Sequence, residues 1–370
     1  MKRLLAGIVI GLVLGAFIGY QLIPTTDIAD YETTIETLET ELANTQTTIN
    51  ELNTQITSLE TEIDTTESTI TELNNRITQL ESQLDTYKNL DNLTGGGLPL
   101  NPNITEPVKV VYQLQNYDLD ALADAEADLY IIDYSWEGDE ETGFTSTELD
   151  TIRSTSDTKI LSYMSIGEAE DYRWYWNTDW ETNPPSWLGE TNPEWEGNYK
   201  VRYWQQEWQN IVYDYLDTIL EAGFDGVYLD IIDAYEYWGP EGDAGTDRAT
   251  AEQEMVDFVI AISEHSKSTN PDFQIYPQNG EQLGTHPEYL TAIDGIGRED
   301  VWYNDNTPQN DTETTLNYLE LFHETGKQVI VIDYPTNPVL IAEFKQKAME
   351  QGYSWYPGNR ELDTISEYID

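Results

Sequence analysis

The 370-residue sequence contains no cysteine, which excludes a disulfide framework, a zinc–thiolate centre and a thiol nucleophile. Histidine is nearly as scarce: His265, His286 and His323 stand far apart, so no histidine-rich metal site is expected. Basic residues are few, 17 Lys and Arg against 70 Asp and Glu, for a formal net charge of -53. A surface of that sign repels phosphate and excludes nucleic acid as a partner. It disfavours anionic lipid and anionic substrates and favours neutral or cationic ones. The acid excess runs along the whole chain, as in a salt-adapted protein kept hydrated by its carboxylates; a surface shaped by a cationic substrate is the alternative. No Gly-x-Gly-x-x-Gly turn follows the first expected strand and no P-loop occurs, and no cofactor is expected.

Hydrophobic residues at 39% suffice for a large core, and aromatics at 12% exceed a disordered composition. Leu4 to Ile23 is an uncharged apolar stretch after Lys2 and Arg3, long enough to span a bilayer. The expectation is a single-pass anchor over residues 1–24, N-terminus cytoplasmic, with the rest of the chain outside the cell membrane. A cleaved signal peptide, giving a secreted protein, is the competing reading. The triplets beginning at Asn92, Asn103 and Asn310 match glycan acceptor spacing and lend weak support to export.

From Ile28 to Tyr87 a heptad pattern runs with Ile28, Ile35, Leu42, Ile49, Ile56, Ile63, Ile70, Ile77 and Leu84 at one seam position. The second seam position carries Tyr31, Leu38, Thr45, Leu52, Leu59, Thr66, Leu73, Leu80 and Tyr87. A 3.5-residue period over this length specifies a left-handed coiled coil, and isoleucine before leucine favours a parallel dimer, with a trimer as alternative. Residues 25–88 thus read as a homo-oligomeric stalk of roughly 90 Å. A linker with Gly95-Gly96-Gly97 and three prolines follows over 89–107.

From 108 to 370 short β-branched runs alternate with amphipathic segments. Strands are expected at Val108–Tyr112, Leu129–Asp133, Lys159–Met164, Gly226–Ile231, Phe273–Tyr276, Gly295–Gly297, Gln328–Ile332 and Gly352–Trp355, with the clearest helices at Gln206–Ala222, Thr246–Lys267, Glu313–Thr325 and Pro338–Gln351. Eight such repeats predict an α/β fold, a (β/α)8 TIM-type barrel; an open doubly wound sheet is the alternative.

Reactive groups of such a barrel gather where the strands end. Those ends read Asp133-Tyr134; Gly167-Glu168 running to Arg173 and Trp176; Asp230 followed by Asp233 and Tyr237; Gln278-Asn279; Arg298-Glu299; and Asp333-Tyr334. Aromatic rings stack on the C–H faces of sugars, and amides and carboxylates bind hydroxyls. A pair of carboxylates can attack an anomeric carbon and protonate the departing oxygen. In a chain this acidic most strand-end carboxylates are solvated charges or helix caps. Asp230, closing the apolar run Gly-Val-Tyr-Leu, and Glu299, after Gly-Ile-Gly-Arg, stand out from that background. The segment holding Trp174, Tyr175, Trp176, Trp180, Trp187, Trp195, Tyr203, Trp204 and Trp208 is too long for a simple connection; it reads as a self-packed lid, a sugar-stacking surface, or both.

The stretches Tyr163-Met-Ser-Ile-Gly-Glu-Ala-Glu-Asp-Tyr-Arg-Trp-Tyr-Trp176, Gly223-Phe-Asp-Gly-Val-Tyr-Leu-Asp-Ile-Ile-Asp-Ala-Tyr-Glu-Tyr-Trp238 and Pro277-Gln-Asn279 resemble glycoside hydrolase family 114, the endo-α-1,4-polygalactosaminidase-like barrels. The resemblance covers Val108 to Asp370. It implies a metal-independent (β/α)8 hydrolase of α-1,4-linked galactosamine or N-acetylgalactosamine polymers, with catalytic carboxylates at Asp230 and Glu299. Related retaining α-glycosidases imply Asp230 as nucleophile and Glu299 as acid/base. Asp133, Tyr134, Glu168, Arg173, Trp176, Asp233, Tyr237, Gln278, Asn279, Arg298 and Asp333 then become candidate substrate contacts, Arg298 also as a cation holding a neighbouring carboxylate ionised. A barrel that binds carbohydrate at a surface without cleaving it is the second expectation, and a transport or signalling stalk the third.

Overall fold

The computed structural model describes residues 34–50, 54, 56–57, 105–139, 141–240 and 242–369. The chain divides into two compact units, Met1–Pro99 and Leu100–Asp370.

In the first unit residues 34–50 are helical, and Thr40, Thr45, Thr47 and Thr48 each return their hydroxyl to the carbonyl four residues back. Ile35, Leu38, Leu42 and Ile49 stay exposed on this helix, at heptad positions. The rest of the heptad pattern, apart from residues 54, 56 and 57, lies outside the described residues. The expected membrane localisation is corrected. Among the described residues no helix is long and apolar enough to cross a membrane, and the segment Leu4–Ile23 that carried the expectation lies outside them.

In the second unit all eight expected strands form: β1 (Val110–Tyr112), β2 (Leu129–Ile132), β3 (Lys159–Ser165), β7 (Gly226–Asp230), β8 (Gln274–Pro277), β9 (Gly295–Glu299), β12 (Gln328–Asp333) and β13 (Ser354–Pro357). Three short strands, β4 (Glu168–Glu170), β5 (Leu188–Thr191) and β6 (Asn198–Val201), form a separate antiparallel sheet inserted after β3. Two more, β10 (Tyr303–Asn304) and β11 (Thr307–Pro308), pair as a small hairpin after β9.

The eight long strands run parallel in the orders β1-β2-β3-β7-β8 and β9-β12-β13. A bridge between Gln278 and Gly297 joins the two groups. The Val108 amide donates to Ser354 Oγ at 2.8 Å, bringing the two end strands side by side. The α/β barrel expectation holds, and the doubly wound alternative falls, because sequence order is spatial order all the way round.

The period of two along each strand sorts the side chains. On β7, Val227 and Leu229 pack outward beneath the helices, while Gly226, Tyr228 and Asp230 turn inward. On β9, Ile296 lies outside and Gly295, Gly297 and Glu299 inside. The interior is dominated by tyrosines: Tyr112, Tyr163, Tyr228, Tyr276, Tyr334 and Tyr356, with Leu129, Ile131, Leu161, Ile330 and Ile332. Two glycines are required by that filling. A Cβ at Gly297 would coincide with the Tyr228 hydroxyl, and one at Gly295 would meet the Tyr276 ring.

The helices have local causes. Gln206–Ala222 buries Trp208, Val212, Tyr215, Leu216 and Ile219 on one face and stops at Gly223, which takes φ 95° as its C-cap. Pro338–Gln351 begins at the Asn337 N-cap and ends at Gly352 with φ 74°. In the aromatic-rich insertion the rings pack on one another. Trp176 lies on Tyr199 at 4.7 Å between centres, Trp180 on Trp187 at 5.0 Å, and Trp187 on Trp208 at 5.1 Å.

Candidate active site

Asp230 is the last residue of β7 and Glu299 the last of β9, so the parallel sheet delivers both carboxyls to the same end of the barrel. Period-two alternation turns both inward. The chain then bends sharply, with Ile231 at φ 57°, Asn279 at φ 61° and Asp300 at φ 53°. A left-handed β-branched residue is uncommon, and Ile231 is kept there by its surroundings. Gly167 makes the room, since a Cβ on it would run into the Ile231 carbonyl.

Each carboxyl receives two donors. Asp230 Oδ2 accepts from the Tyr163 hydroxyl at 2.6 Å and Oδ1 from the Ile231 amide at 2.8 Å. Glu299 Oε2 accepts from Gln278 Nε2 at 2.7 Å, and Oε1 from the Tyr334 hydroxyl. Gln278 is itself held by the Tyr112 hydroxyl at 2.9 Å. The Glu299 amide donates to Asn279 Oδ1 at 3.1 Å, which ties the strand end to the neighbouring loop.

Burial pushes Asp230 up to about 8; the Glu299 charge adds to this, and the Tyr163 and Ile231 donors oppose it. Glu299 is also raised, chiefly by burial, with the Tyr334 hydroxyl acting against the rise. Two interacting carboxyls in a poorly hydrated place titrate together rather than singly. A proton on Glu299 removes the charge part of the Asp230 rise and leaves burial, which the Tyr163 and Ile231 donors oppose.

The other expected residues divide. Gln278 and Asn279 belong to the carboxyl pair. Asp133 faces inward from the end of β2, with both oxygens taken by Arg173 at 2.8 and 2.7 Å. Arg173 also pairs with Glu170 at 2.6 Å and is 3% exposed, so this cation serves the rim from within. Asp233 is raised by burial, with the charges of Arg298 and Lys200 opposing. Arg298 pairs with Glu281 at 2.9 Å and donates to Asn279 Oδ1 at 3.2 Å. It therefore steadies the loop around Glu299.

Five residues are placed elsewhere. Asp333 turns to the outside of β12, fully buried, and accepts from the amides of Val301, Trp302 and Tyr303. It holds the loop after Glu299 and faces away from the carboxyl pair. Tyr134 also points outward and packs edge-on against Tyr215. Glu168 is fully buried and occupied by Lys200, Asn192 and Asn198, which lock the insertion sheet. Trp176 lies within the aromatic stack, against Trp180 and Tyr199. Tyr237 sits with its ring 5.0 Å from Lys200 Nζ.

Sequence reading placed Tyr334 at a strand end without a role and missed Tyr163 and Tyr112; these three hold the carboxyl pair directly or through Gln278. Tyr163 stands inside a strand run and reads as core; only the inward side of the alternation marks it.

The family model for glycoside-hydrolase family GH114 matches residues 100–370. The chain belongs to that family. An uncharacterized protein of Methanocaldococcus jannaschii is 39% identical over 272 residues, 70% of this chain and 78% of the relative. One from Thermotoga maritima is 36% identical over 264 residues, 68% of this chain and 81% of the relative. In structure the GH114 chain is similar to Aspergillus fumigatus Ega3, solved in complex with galactosamine, with TM-score 0.54, 18% identity and coverage of 72% of this chain and 96% of that one. It is likewise similar to the glycoside hydrolase domain of PelA from Pseudomonas aeruginosa, with TM-score 0.53, 13% identity and coverage of 69% and 96%. At these identities the likeness concerns the barrel fold, and the family assignment makes the protein a glycoside hydrolase.

Proposed function

We propose that this GH114 hydrolase cleaves an α-linked amino-sugar polysaccharide, of the α-1,4-galactosaminide type, with Asp230 as nucleophile and Glu299 as acid/base. The observation that carries the reading is the pair itself: two inward carboxyls at the same end of the barrel, both raised by burial and each held by a tyrosine hydroxyl. In the first step the Asp230 carboxylate bonds to the anomeric carbon while the glycosidic C–O bond breaks. The Glu299 proton passes to the departing oxygen. In the second, Glu299 takes a proton from water, the oxygen attacks the anomeric carbon, and Asp230 leaves. The galactosamine held by Ega3 and the acid excess of this chain both support a cationic or partly acetylated polymer as substrate.

A panel of galactosaminoglycan polymers, analysed for product size and for the anomer first formed, tests the reading. Retention of configuration is expected. Asp230→Asn and Glu299→Gln are each expected to lower kcat by about 10³-fold or more while polymer binding persists. A wild-type protein inactive on the whole panel, or a variant within about tenfold of it, overturns the assignment.

The organisation is proposed as a stalk over 25–88, a linker over 89–107 and the catalytic barrel over 108–370. The exposed Ile35, Leu38, Leu42 and Ile49 support pairing of the stalk helix with a second copy.

A further inference from the structure

The chain does not stop at the last barrel strand, and the segment beyond β13 returns to the carboxyl pair. The Arg360 guanidinium lies 4.3 Å from the centre of the Tyr334 ring. Its Nη2 donates to Asp300 Oδ1 at 2.6 Å and Asn304 Oδ1 at 2.9 Å, and its Nε to Asp305 Oδ1 at 3.2 Å. One planar cation thus clamps the loop that leaves Glu299 and covers the ring whose hydroxyl donates to Glu299. The segment is seated on the loop after β1. The Leu114 amide donates to the Leu362 carbonyl at 2.8 Å, Gln115 Nε2 to the Glu361 carbonyl at 2.6 Å, and Gln113 Nε2 to the Asp363 carbonyl at 3.2 Å. Leu362 packs with the barrel's inner tyrosines.

We propose that Arg360 is a positioning residue for Glu299, acting through the ring of Tyr334 and the 300–305 loop, so that the segment after β13 is part of the catalytic machinery. The inference rests on Glu299 being the acid/base of the reaction. The charged and titratable groups around Glu299 are Asp230 from β7, Asp300 and Arg298 from its own strand end, Arg360 from the terminal segment, and the phenols of Tyr112, Tyr228 and Tyr334. Arg360 is the cation whose charge offsets the rise of Glu299. Removing it favours the protonated carboxyl, so the basic limb of the pH profile moves upward. The loss of ring and loop orientation lowers kcat at the same time. The Arg360 side chain is 38% exposed, so its replacement leaves the core packing intact.

The test is the pH profile of kcat and kcat/KM for Arg360→Ala, Arg360→Lys, Tyr334→Phe and the Arg360→Ala/Tyr334→Phe double variant, on one soluble substrate. Arg360→Ala is expected to lower kcat by about tenfold, with KM little changed and the basic limb shifted up. Lysine restores the limb, because it keeps the charge, but only part of kcat, because it lacks the planar fork. In the Tyr334→Phe background the further loss is expected to be smaller than in the wild type, since one of the two routes, the ring, no longer reaches Glu299 through its hydroxyl. A full additive loss, or a fall in kcat with the limb unmoved, overturns the role of Arg360. Activity retained by Glu299→Gln overturns the acid/base reading instead, so the two failures are separable.

Discussion

The carboxyl of Asp230 is raised by its burial and by the charge of Glu299, one strand beyond its neighbour β8 in the ring, and each of the two carboxyls leans on a different tyrosine, Tyr163 for one and Tyr334 for the other. A pair built this way keeps the proton of Asp230 to a higher pH than an ordinary aspartate does. It also makes the full ionisation of the site unfavourable for the fold.

Asp230→Asn is therefore expected to stabilise the protein while removing activity. The folded-state value, about 8, lies above the ordinary 3.8, so the folded chain binds this proton more tightly than the unfolded chain. The resulting stability is fully present below about pH 4, declines as pH rises, and is gone above about 8. The variant has no such proton to lose. Its melting temperature should exceed that of the wild type by several degrees at about pH 9, with the gap closing toward about pH 4. Thermal unfolding across that range checks it; an equal gap at all pH values would contradict the raised carboxyl of Asp230.

Tyr163→Phe removes the hydroxyl that favours the ionised form of Asp230. A loss of about 10²–10³-fold in kcat is expected, the range for removing one hydrogen-bond donor to a reacting group. Asp230 should then hold its proton to higher pH, and the rise of activity with pH should begin later. Polymer affinity, measured separately, should change little.

Arg173→Met leaves Asp133 and Glu170 buried without their cation. Breaking a buried pair from one side costs about 3–5 kcal/mol, and urea unfolding at neutral pH should show a loss of that order. A variant as stable as the wild type at neutral pH would mean that the trio is hydrated and exchangeable.

Much of the barrel is legible along the chain because its strands are buried on both faces and read as β-branched runs between turn residues. The helices Gln206–Ala222 and Pro338–Gln351 can be bounded to the residue, since Gly223, Gly352 and Asn337 punctuate them. Asp230 is visible for a related reason: it closes an apolar run, where a charge has no helix to cap, and Glu299 is visible as the end of the strand that opens Gly-Ile-Gly. Asp333 closes such a run as well and looks the same. Position along a strand gives the distance to its end, whereas the register of β12 against β9 decides which face a residue takes. That register turns Asp333 outward under the 301–303 amides.

The roles of the tyrosines, Arg173 and Arg360 lie beyond local reading, because partners that define them lie far along the chain, 35 residues away for Tyr334 and 166 for Tyr112. Composition and period by themselves determined the absence of thiol chemistry, the acidic surface, the heptad stripe and the eight-fold alternation, since these depend only on which residues occur and how they are spaced. Which carboxyls meet, which are tied down by cations or amides, and which hydroxyls hold them was decided by closure of the strand ring. Burial and Coulomb energy depend on distances between groups far apart in the chain, and those distances exist only once the chain has folded.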